Sequence, residues 1–452
     1  MFSNQRVMVV GLAKSGIPAI KALKAQGAYV ILHDSKNEDC FSELLADLLG
    51  QYDETCIGRS PLQVENLDCM VLSPGVPTDL DYIAHAKRQG IRIIGELELG
   101  YLLAKGHFYG ITGTNGKTTT TALTGEIFKA SSKKTHVVGN IGVAVVEKAP
   151  DSDGETVFIT EISSFQLESI QKFKCEIAAI LNLTPDHLNR HKTMENYIDA
   201  KCRIFENTDE SGIVLLNFDN ELTRNLKNRV SKGTVVFFSR LEKLKNGVYV
   251  DCGKIVVEDY RTALPIEIMN VDDIFIPGPH NLENVLAAVA ISYYGGVTPE
   301  VIKTTIQNFK GIEHRLEFVK ILNGITFFND SKGTNPDSSI KAVEAMKQPT
   351  YLIVGGMDKG SLFDEFIESF GSTVKHMVAF GETAELLIDT AKKHHFESVT
   401  RVANLDEAVN LCYQMAKSGE TILLSPACAS WDMYSSFEAR GDHFKSCVAA
   451  LE

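Results

Sequence analysis

The segment GITGTNGKTTT, residues 110 to 120, combines glycines with a lysine and threonines in an order suited to phosphate binding. Glycines let the backbone approach a phosphate closely, and the positive end of a following helix favours anions. Lys117 is expected to neutralise the outer phosphates, and the Thr118 hydroxyl to bind magnesium. The pattern departs from G-x-x-x-x-G-K-[ST], which would place glycine at Ile111. The segment nevertheless predicts a nucleotide triphosphate site rather than a simple turn.

Two later segments contain side chains that suit a magnesium ion held by that nucleotide. Glu161 ends the apolar run TVFITE, and Asp186 and His187 follow the run EIAAILNLT. Strand ends share one face of a parallel sheet, so these residues are expected beside the phosphate loop. Each acid taken alone is more typical of a helix cap. His187 and His191 stand four residues apart, but Leu188 replaces the general base of an H-E-x-x-H zinc hydrolase, which excludes that chemistry.

The elements that position these residues begin with a Rossmann-like pattern. From Arg6 the chain reads strand RVMVV, glycine turn GLAKSG, an amphipathic helix and strand YVIL, which Asp34 follows. Ala13 occupies the position where a dinucleotide site needs glycine, which weakens that interpretation. Asp34 is equally typical of a turn and of a nucleotide contact.

The rest of the chain alternates apolar runs with helical patterns, which predicts an α/β protein of three domains. We expect a Rossmann-like N-terminal domain over residues 1–95 and a central, P-loop ATPase-like parallel sheet over 96–311. A second Rossmann-like domain is expected over 312–452. The continuous apolar runs are typical of parallel strands covered on both faces.

Composition excludes several classes of protein. Hydrophobic residues make up 44% and charged residues 23%, as in ordinary globular proteins. The net charge of -13 disfavours nucleic acid binding. Nine cysteines without a C-x-x-C pair favour a reducing compartment, and no long apolar segment predicts a membrane span or a signal peptide. These observations predict a cytoplasmic enzyme.

Taken together, the ordered motifs resemble those of the Mur ligases, which join amino acids to the UDP-linked peptide precursor of the bacterial cell wall. The resemblance covers essentially the whole chain. Its motifs are GTNGKTT (113–119), GNIG (139–142), EISSFQLE (161–168), DHLNRH (186–191), HNLENVLAA (280–288), HR (314–315), NDSKGTN (329–335) and LSPACASWDMYSSFEARGD (424–442). The last segment, NDSKGTN and GLAKSG most resemble the member that adds D-glutamate to UDP-N-acetylmuramoyl-L-alanine.

The resemblance implies an ATP-dependent reaction with two magnesium ions. Phosphate passes from ATP to the acceptor carboxylate, and the amine of D-glutamate attacks the resulting acyl phosphate. Phosphorylation converts a poor electrophile into one with a leaving group. The resemblance assigns ATP binding to Gly113, Thr114, Asn115, Gly116, Lys117, Thr118, Thr119, Asn281, Asn284, Arg315 and Asp330. It assigns catalysis to Lys117, Asn140, Glu161, His187 and Lys201.

The metal ligands and substrate contacts are likewise implied by the resemblance. The expected metal ligands are Thr118, Glu161, His187 and Lys201 as its carbamate. The expected contacts to the UDP substrate are Asp34, Lys36, Gly75 and Asn140, with lysine at position 36 where some relatives carry arginine. Thr334, Lys359, Ser430 and Phe437 are the expected contacts to D-glutamate. Lys359 is otherwise typical of a turn and Phe437 of a core.

For Lys201, the residue type and the family resemblance give different predictions. A lysine on a helix is ordinarily solvated, and the residues alone predict that state. In the family this lysine is a carbamate, formed when carbon dioxide adds to a neutral amine and leaves an anion that can face magnesium.

Three alternatives remain. A ligase for a diamino acid is expected to show an Asn-Pro-Arg signature, which is missing from the last domain. In folylpolyglutamate synthetases the phosphate loop lies near the N-terminus, whereas here an α/β domain precedes it. A nucleotide-binding switch or redox sensor would use the Rossmann-like opening without ligation. For a ligase we expect a monomer whose domains close for catalysis.

Overall fold

The computed structural model describes the whole chain except residues 14, 62–65, 260, 263, 358–359 and 452. The chain divides into two compact units, one of residues 1–271 with 283–306 and one of 272–282 with 307–452. The first unit contains two sheets and the second contains one, each built mainly from parallel strands. The predicted α/β class is therefore confirmed, while the boundaries at 95/96 and 311/312 stay predictions.

The first sheet is parallel throughout, in the order β3-β2-β1-β4-β5. Its strands are β1 (Arg6–Val10), β2 (Tyr29–His33), β3 (Glu54–Thr55), β4 (Cys69–Leu72) and β5 (Arg92–Gly95). The accompanying helices are α1 (Gly16–Ala25), α2 (Ser42–Asp47), α3 (Asp81–Arg88) and α4 (Glu96–Leu103). Every residue of β4 is buried, because helices cover both faces of the sheet.

The central sheet has nine strands in the order β14-β13-β12-β11-β10-β9-β6-β8-β7. They are β6 (His107–Thr112), β7 (Thr135–Gly139), β8 (Val157–Glu161), β9 (Ile177–Ile180), β10 (Ile213–Asn217), β11 (Thr234–Ser239), β12 (Gly247–Asp251), β13 (Lys254–Glu258) and β14 (Ile266–Asn270). Strand β6 lies between β8 and β9, so the strands that follow β6 in the chain are added first on one side of it and then on the other. Such a switch point opens a crevice at the carboxyl end of the strand, where ligands bind.

Eight helices accompany this sheet. They are α5 (Lys117–Ala130), α6 (Val145–Lys148), α7 (Ser164–Leu167), α8 (Leu188–His191), α9 (Met194–Cys202), α10 (Glu221–Asn225), α11 (Pro279–Tyr294) and α12 (Pro299–Asn308). The family motif HNLENVLAA lies in α11, whose residues 285–291 are buried.

Strands β12 to β14 form an antiparallel extension that the sequence interpretation missed. Each of these strands has only five residues, and in β13 the buried Ile255 and Val257 alternate with less buried residues. The β12–β13 turn places Cys252 at φ 48° and Gly253 at φ 75°, as expected of a two-residue hairpin with positive φ at both positions.

The sheet of the second unit has the order β15-β16-β20-β17-β18-β19. Only β15 runs antiparallel to its neighbour. The strands are β15 (Glu317–Leu322), β16 (Ile325–Asn329), β17 (Thr350–Gly355), β18 (Val374–Phe380), β19 (Val399–Arg401) and β20 (Thr421–Leu424). The helices are α13 (Pro336–Glu344), α14 (Asp364–Glu368), α15 (Ala384–Lys393), α16 (Leu405–Met415) and α17 (Phe437–Ala449). Within the described part of the chain, no helix is both long and apolar enough to span a bilayer.

A buried carboxylate joins the start of the central region to the loop before β9. Glu98, on α4, is fully buried and accepts hydrogen bonds from the backbone N–H groups of Gln171, Lys172 and Phe173, each at 2.9 Å. Three donors from consecutive residues compensate the lost hydration of the carboxylate.

Replacing Glu98 with alanine leaves three buried donors without a partner and is expected to lower the free energy of unfolding by about 3 kcal/mol. Urea unfolding followed by circular dichroism measures the loss, and hydrogen exchange at amides 171–173 localises it. Glu147→Ala, which removes an exposed acid from nearby α6, is the control and should change neither. Unchanged exchange at amides 171–173 in Glu98→Ala would contradict this account.

Candidate functional site

The phosphate loop connects β6 to α5 and requires glycine at two positions. Gly113 has φ 152° and Gly116 has φ 83°. A Cβ atom at Gly116 would lie 2.1 Å from the Asn284 Oδ1 atom, so a side chain there meets both backbone strain and a collision. The 14-residue helix α5 begins at Lys117 directly after the loop, with Thr118 and Thr119 in its first turn. Its N-terminus offers N–H groups and a positive dipole end to an anion.

The loop after β9 holds the phosphate loop in place. The Asn115 N–H donates to Asn182 Oδ1 at 2.8 Å, and Asn182 Nδ2 donates back to the Asn115 carbonyl at 3.1 Å. The Thr114 hydroxyl bonds to the Thr184 carbonyl and to the Tyr197 hydroxyl, each at 3.1 Å. These four hydrogen bonds fix the shape of the phosphate loop.

The surroundings of the Glu161 carboxylate suit a ligand of a cation. In the sheet Glu161 pairs with Ile111, two residues before Gly113. Its side chain is 1% exposed, and its Oε1 accepts a hydrogen bond from Asn140 Nδ2 at 2.7 Å. Its Oε2 is buried and has no hydrogen-bond partner among the described residues. A buried carboxylate oxygen without a donor is costly unless a cation or water faces it, so the residues fit a magnesium ion.

His187 lies beyond the end of β9 and is held by its neighbours. Its backbone has φ 53°, and its N–H donates to Asp186 Oδ1 at 2.9 Å. The imidazole packs on Phe165, with 4.9 Å between ring centroids. The side chain is 49% exposed, which leaves the ring accessible to a ligand. As predicted, β6, β8 and β9 bring the phosphate loop, Glu161 and the Asp186–His187 pair to the same end of the sheet.

Lys201 is only 2% exposed, so the prediction of a solvated helix lysine is wrong. The reason is that α9 packs this side chain under the phosphate loop, where Nζ donates to the Gly113 carbonyl at 2.9 Å. Nζ also lies 4.7 Å from the centre of the Tyr197 ring. Lys117 Nζ donates to the same Gly113 carbonyl at 2.9 Å. Burial, reinforced by the charge of Lys117, holds the pKa of Lys201 well below its ordinary value, which favours the neutral amine.

A cavity of about 290 Å³ lies between the loops of the first sheet and the turn after β7. Gly75 and Asn140, two predicted substrate contacts, line it. Asp34 and Lys36 are not among the lining residues. The Asp34 carboxylate accepts the N–H groups of Leu12 and Lys36, each at 3.1 Å, which is the turn-stabilising role that the sequence left open.

The cavity also contains polar side chains that sequence reasoning missed. These are Ser15, Ser73, Glu96 and Gln166. A signal for Ser73 was available, because it directly follows β4 in the segment VLSPGVP. Glu96 is almost completely buried and accepts the Val146 N–H at 2.8 Å, and burial raises its pKa to about 7.

Arg190, in the DHLNRH segment, is a further residue that the sequence analysis missed. Its guanidinium donates to both carboxylate oxygens of Glu168, at 3.2 and 2.6 Å. It also donates to the carbonyls of Pro74 and Val76, at 3.4 and 3.2 Å. Since Pro74 and Val76 line the cavity, Arg190 fixes the wall of the first sheet against the central sheet.

The second unit contains the remaining predicted nucleotide contacts. Asp330 is 5% exposed and accepts hydrogen bonds from the Ser425 hydroxyl at 2.7 Å and the Leu316 N–H at 3.2 Å. Burial raises its pKa to about 7, and the nearby Arg315 opposes that rise. Asn281 donates to the Pro277 carbonyl at 2.7 Å.

A buried arginine in the same unit holds together the segments that contain predicted D-glutamate contacts. Arg440 is fully buried and donates to the Ser331 hydroxyl at 3.0 Å, the Ser331 carbonyl at 2.9 Å and the Ala429 carbonyl at 3.3 Å. It thereby joins the segment preceding Thr334 to the segment containing Ser430. Phe437 is half-buried rather than core, and its carbonyl accepts the Ser331 hydroxyl at 2.8 Å. Lys359 lies outside the described residues.

Three family models together match most of the chain. Residues 5–95 match the Mur ligase MurD-like N-terminal domain, residues 111–292 the Mur ligase middle domain, and residues 314–428 the Mur ligase glutamate ligase domain. The chain belongs to the Mur ligase family, and the predicted resemblance is confirmed.

Curated relatives specify the branch of the family. The chain is 52% identical to the UDP-N-acetylmuramoylalanine–D-glutamate ligase of Alkaliphilus oremlandii (strain OhILAs), over 99% of each chain. It is 48% identical to the ligase of the same name from Clostridioides difficile (strain 630), again over 99% of each chain.

Solved structures of other ligases share the fold. The UDP-N-acetylmuramate-alanine ligase MurC of Thermotoga maritima matches with a TM-score of 0.59 at 17% identity, over 99% of this chain and 100% of that one. The MurF ligase of Thermotoga maritima in complex with ADP matches with a TM-score of 0.58 at 16% identity, over 100% and 96%.

Gly116→Ala is expected to weaken nucleotide binding at least about tenfold, because the new Cβ meets Asn284 and the positive φ strains the loop. Calorimetric titration with Mg-ADP measures the affinity. Gly154→Ala is the matched control, since a Cβ at Gly154 meets nothing within 4 Å, and its affinity should equal that of the parent protein. Normal affinity in Gly116→Ala would show that this loop does not bind the nucleotide.

Proposed function

We propose that this protein is an ATP-dependent ligase that joins D-glutamate to UDP-N-acetylmuramoyl-L-alanine by an amide bond. The observation that carries the proposal is the position of Asn140. This residue lines the 290 Å³ cavity and donates to Glu161, the carboxylate beside the phosphate loop. An acceptor acid in the cavity is therefore adjacent to a nucleotide on the loop. Relatives of the same length named for this reaction support the assignment.

ATP binding is assigned first to the loop of residues 113–119. Gly113 to Gly116 curve around the phosphates, Lys117 neutralises their charge, and the hydroxyls of Thr118 and Thr119 lie in the first turn of α5. Asn284, whose Oδ1 lies against Gly116, is assigned to the adenine. Asn281, Arg315 and Asp330 belong to the second unit and are assigned to the nucleotide on the family resemblance, so the proposal includes domain closure.

Thr118, Glu161, His187 and the carbamate of Lys201 are the proposed magnesium ligands. Magnesium, when bound, offsets the negative charge that accumulates between the triphosphate and the acceptor carboxylate. The buried Oε2 of Glu161 supports this assignment most directly, since it lacks a donor among the described residues.

The proposed reaction has two steps. The acceptor carboxylate, oriented by Asn140, attacks the γ-phosphorus of ATP; the bond to the β-phosphate oxygen breaks, and ADP leaves. The amine of D-glutamate then attacks the carbonyl carbon of the acyl phosphate. Phosphate leaves, the amine loses its proton, and an amide remains. Residues 1–95 are proposed to bind the UDP acceptor, 96–311 ATP, and 312–452 the amino acid.

D-glutamate is assigned to the second unit. Thr334, Ser430 and Phe437, together with Lys359, are the proposed contacts. Two carboxylates must be paired there while the amine stays unprotonated. The bonds of Arg440 to the 331 and 429 positions support a rigid amino-acid site, because they hold two of the contributing segments together.

Lys201 is proposed to act as a carbamate. Addition of carbon dioxide requires a neutral amine, and the buried position beside Lys117 favours that form. The neutral amine nitrogen forms a bond to the carbon of carbon dioxide, one proton is released to solvent, and the side chain becomes an anion. An anion at this position removes the repulsion from Lys117 and adds an oxygen ligand for the metal.

The substrate assignment is tested by measuring phosphate release with ATP and UDP-N-acetylmuramoyl-L-alanine while the amino acid is varied. D-glutamate should support turnover at least about tenfold better than L-alanine, L-lysine or meso-diaminopimelate. Faster release with another amino acid would overturn the substrate assignment, and nucleotide binding without release under any condition would favour a non-ligase switch.

Lys201→Ala and Lys201→Arg should both lose most activity, about 100-fold or more, because neither side chain forms a carbamate. Nuclear magnetic resonance with ¹³C-labelled bicarbonate should show a carbamate signal in the parent protein and not in either variant. Lys192→Ala, which changes an exposed lysine nearby, is the control. A fully active Lys201→Ala variant would remove this residue from the mechanism.

Glu96 predicts a pH dependence for acceptor binding. Its pKa of about 7 leaves the carboxyl neutral below pH 7 and anionic above it. Because the acceptor is anionic, its affinity should fall roughly fivefold between pH 6 and pH 8. Glu96→Gln should abolish this dependence. Calorimetric titration with the acceptor measures both proteins, and an identical pH dependence in the variant would exclude Glu96 as its source.

A further inference from the structure

Two helices of the second unit bring three metal-binding side chain types together, far along the chain from the nucleotide loop. His443 and Cys447 are four residues apart on α17, so they project from the same face of that helix. Asp406 lies in the first turn of α16. One ligand atom from each of the three residues lies within 4.8 Å of the others. We name these residues the Asp406–His443–Cys447 cluster.

The spacing of the donor atoms suits a small tetrahedral ion. His443 Nε2 lies 3.3 Å from Asp406 Oδ2, and Cys447 Sγ lies 3.5 Å from Asp406 Oδ1. In tetrahedral zinc sites, with bonds of about 2.0–2.3 Å, neighbouring ligand atoms are separated by about 3.3–3.6 Å. These two distances end on different oxygens of Asp406. Single ligand atoms from the three residues lie within 4.8 Å of one another, so a shift of about 1 Å brings them to tetrahedral spacing.

A tyrosine holds the imidazole in the required orientation. The Tyr434 hydroxyl hydrogen-bonds to His443 Nδ1 at 2.8 Å. With Nδ1 occupied, Nε2 is the nitrogen that faces the Asp406 carboxylate. Metal-ligating histidines characteristically use their second ring nitrogen in this way, which fixes the ring and the tautomer.

The cluster is accessible on one side. The side chains of His443 and Asp406 are 36% and 58% exposed, whereas Cys447 is buried. An ion can therefore approach from solvent, and a water molecule can complete a fourth position. Burial and the negative charge of Asp406 raise the pKa of the Cys447 thiol to about 12, so the sulfur is protonated until a cation replaces that proton.

The second group of potential ligands among the described residues provides a contrast. Glu313, His314 and Asp442 also lie close together. There the Lys445 ammonium already hydrogen-bonds to Glu313 and lies 3.1 Å from Asp442, so a cation is supplied by the chain itself. No such lysine contact is recorded for Asp406 within the described residues, and only the first cluster contains sulfur.

We propose that Asp406, His443 and Cys447 bind one zinc ion, with water as the fourth ligand and Tyr434 orienting His443. Thiolate and imidazole ligands select zinc over magnesium, which prefers oxygen ligands. Binding forms a metal–sulfur bond and releases the thiol proton to solvent. The site is separate from the proposed magnesium ligands and independent of the ligase reaction.

Cobalt(II) titration of the chelator-treated full-length protein tests the proposal. One equivalent should produce a thiolate-to-cobalt charge-transfer band in the near ultraviolet and visible bands typical of tetrahedral coordination. Zinc should abolish both, and millimolar magnesium should not. Cobalt at the proposed magnesium ligands gives no thiolate band, so the two sites are distinguished without measuring activity.

Variants locate the site. Cys447→Ser should lose the thiolate band, and His443→Gln should weaken cobalt binding at least tenfold. Tyr434→Phe should weaken it about 10-fold to 100-fold while retaining the band. Cys252→Ser, which changes an exposed cysteine of the first unit, is the control and should behave like the parent protein.

The outcomes that overturn the proposal are specific. They are the lack of a thiolate band at stoichiometric cobalt in the parent protein, or persistence of that band in Cys447→Ser. Circular dichroism verifies that each variant is folded. If Cys447→Ser is not folded, His443→Gln provides the test. Equal cobalt affinity in folded His443→Gln and parent protein also excludes the site.

Discussion

Two lysine side chains donate to one backbone carbonyl of the phosphate loop, and the polar groups around that loop in the first unit are arranged about this shared contact. Lys117 and Lys201 both donate to the Gly113 oxygen at 2.9 Å, one from the start of α5 and one from buried α9. Two ammonium groups so close in a buried setting repel each other, and the more buried one is pushed toward its neutral form. The repulsion favours the neutral amine, which is the form that the proposed carbamate of Lys201 requires.

In the same region a single amide side chain joins the cavity wall to the carboxylate beside the phosphate loop. Asn140 donates to Glu161 from the turn that lines the cavity, and Glu161 lies on the strand beside the phosphate loop. Arg190 fixes the opposite wall by donating to the carbonyls of Pro74 and Val76. The two sheets of the first unit therefore present one continuous set of polar groups.

Much of this arrangement followed from local patterns. Continuous apolar runs predicted the parallel strands, and the residues after them, Glu161 and His187, were expected at one end of the sheet because parallel strands end on the same side. The antiparallel β12–β14 extension was missed because each of its strands has only five residues, which gives a short apolar signal. Lys201 was misjudged from its residue type alone, since a helical lysine gives no local sign of burial. Glu96 was missed because its partner Val146 lies 50 residues away, and the contact of Arg190 with the Val76 carbonyl spans 114 residues.

The sequence by itself determined the family, the α/β class and the order of the phosphate loop and strand-end residues, since these depend on neighbours along the chain and on recognisable motifs. Only the tertiary structure decided that Lys201 is buried, that Glu161 Oε2 lacks a donor among the described residues, and that two helices bring Asp406 beside His443 and Cys447. Desolvation and electrostatic repulsion depend on distances between atoms that the fold brings together, and residue order alone does not specify those distances.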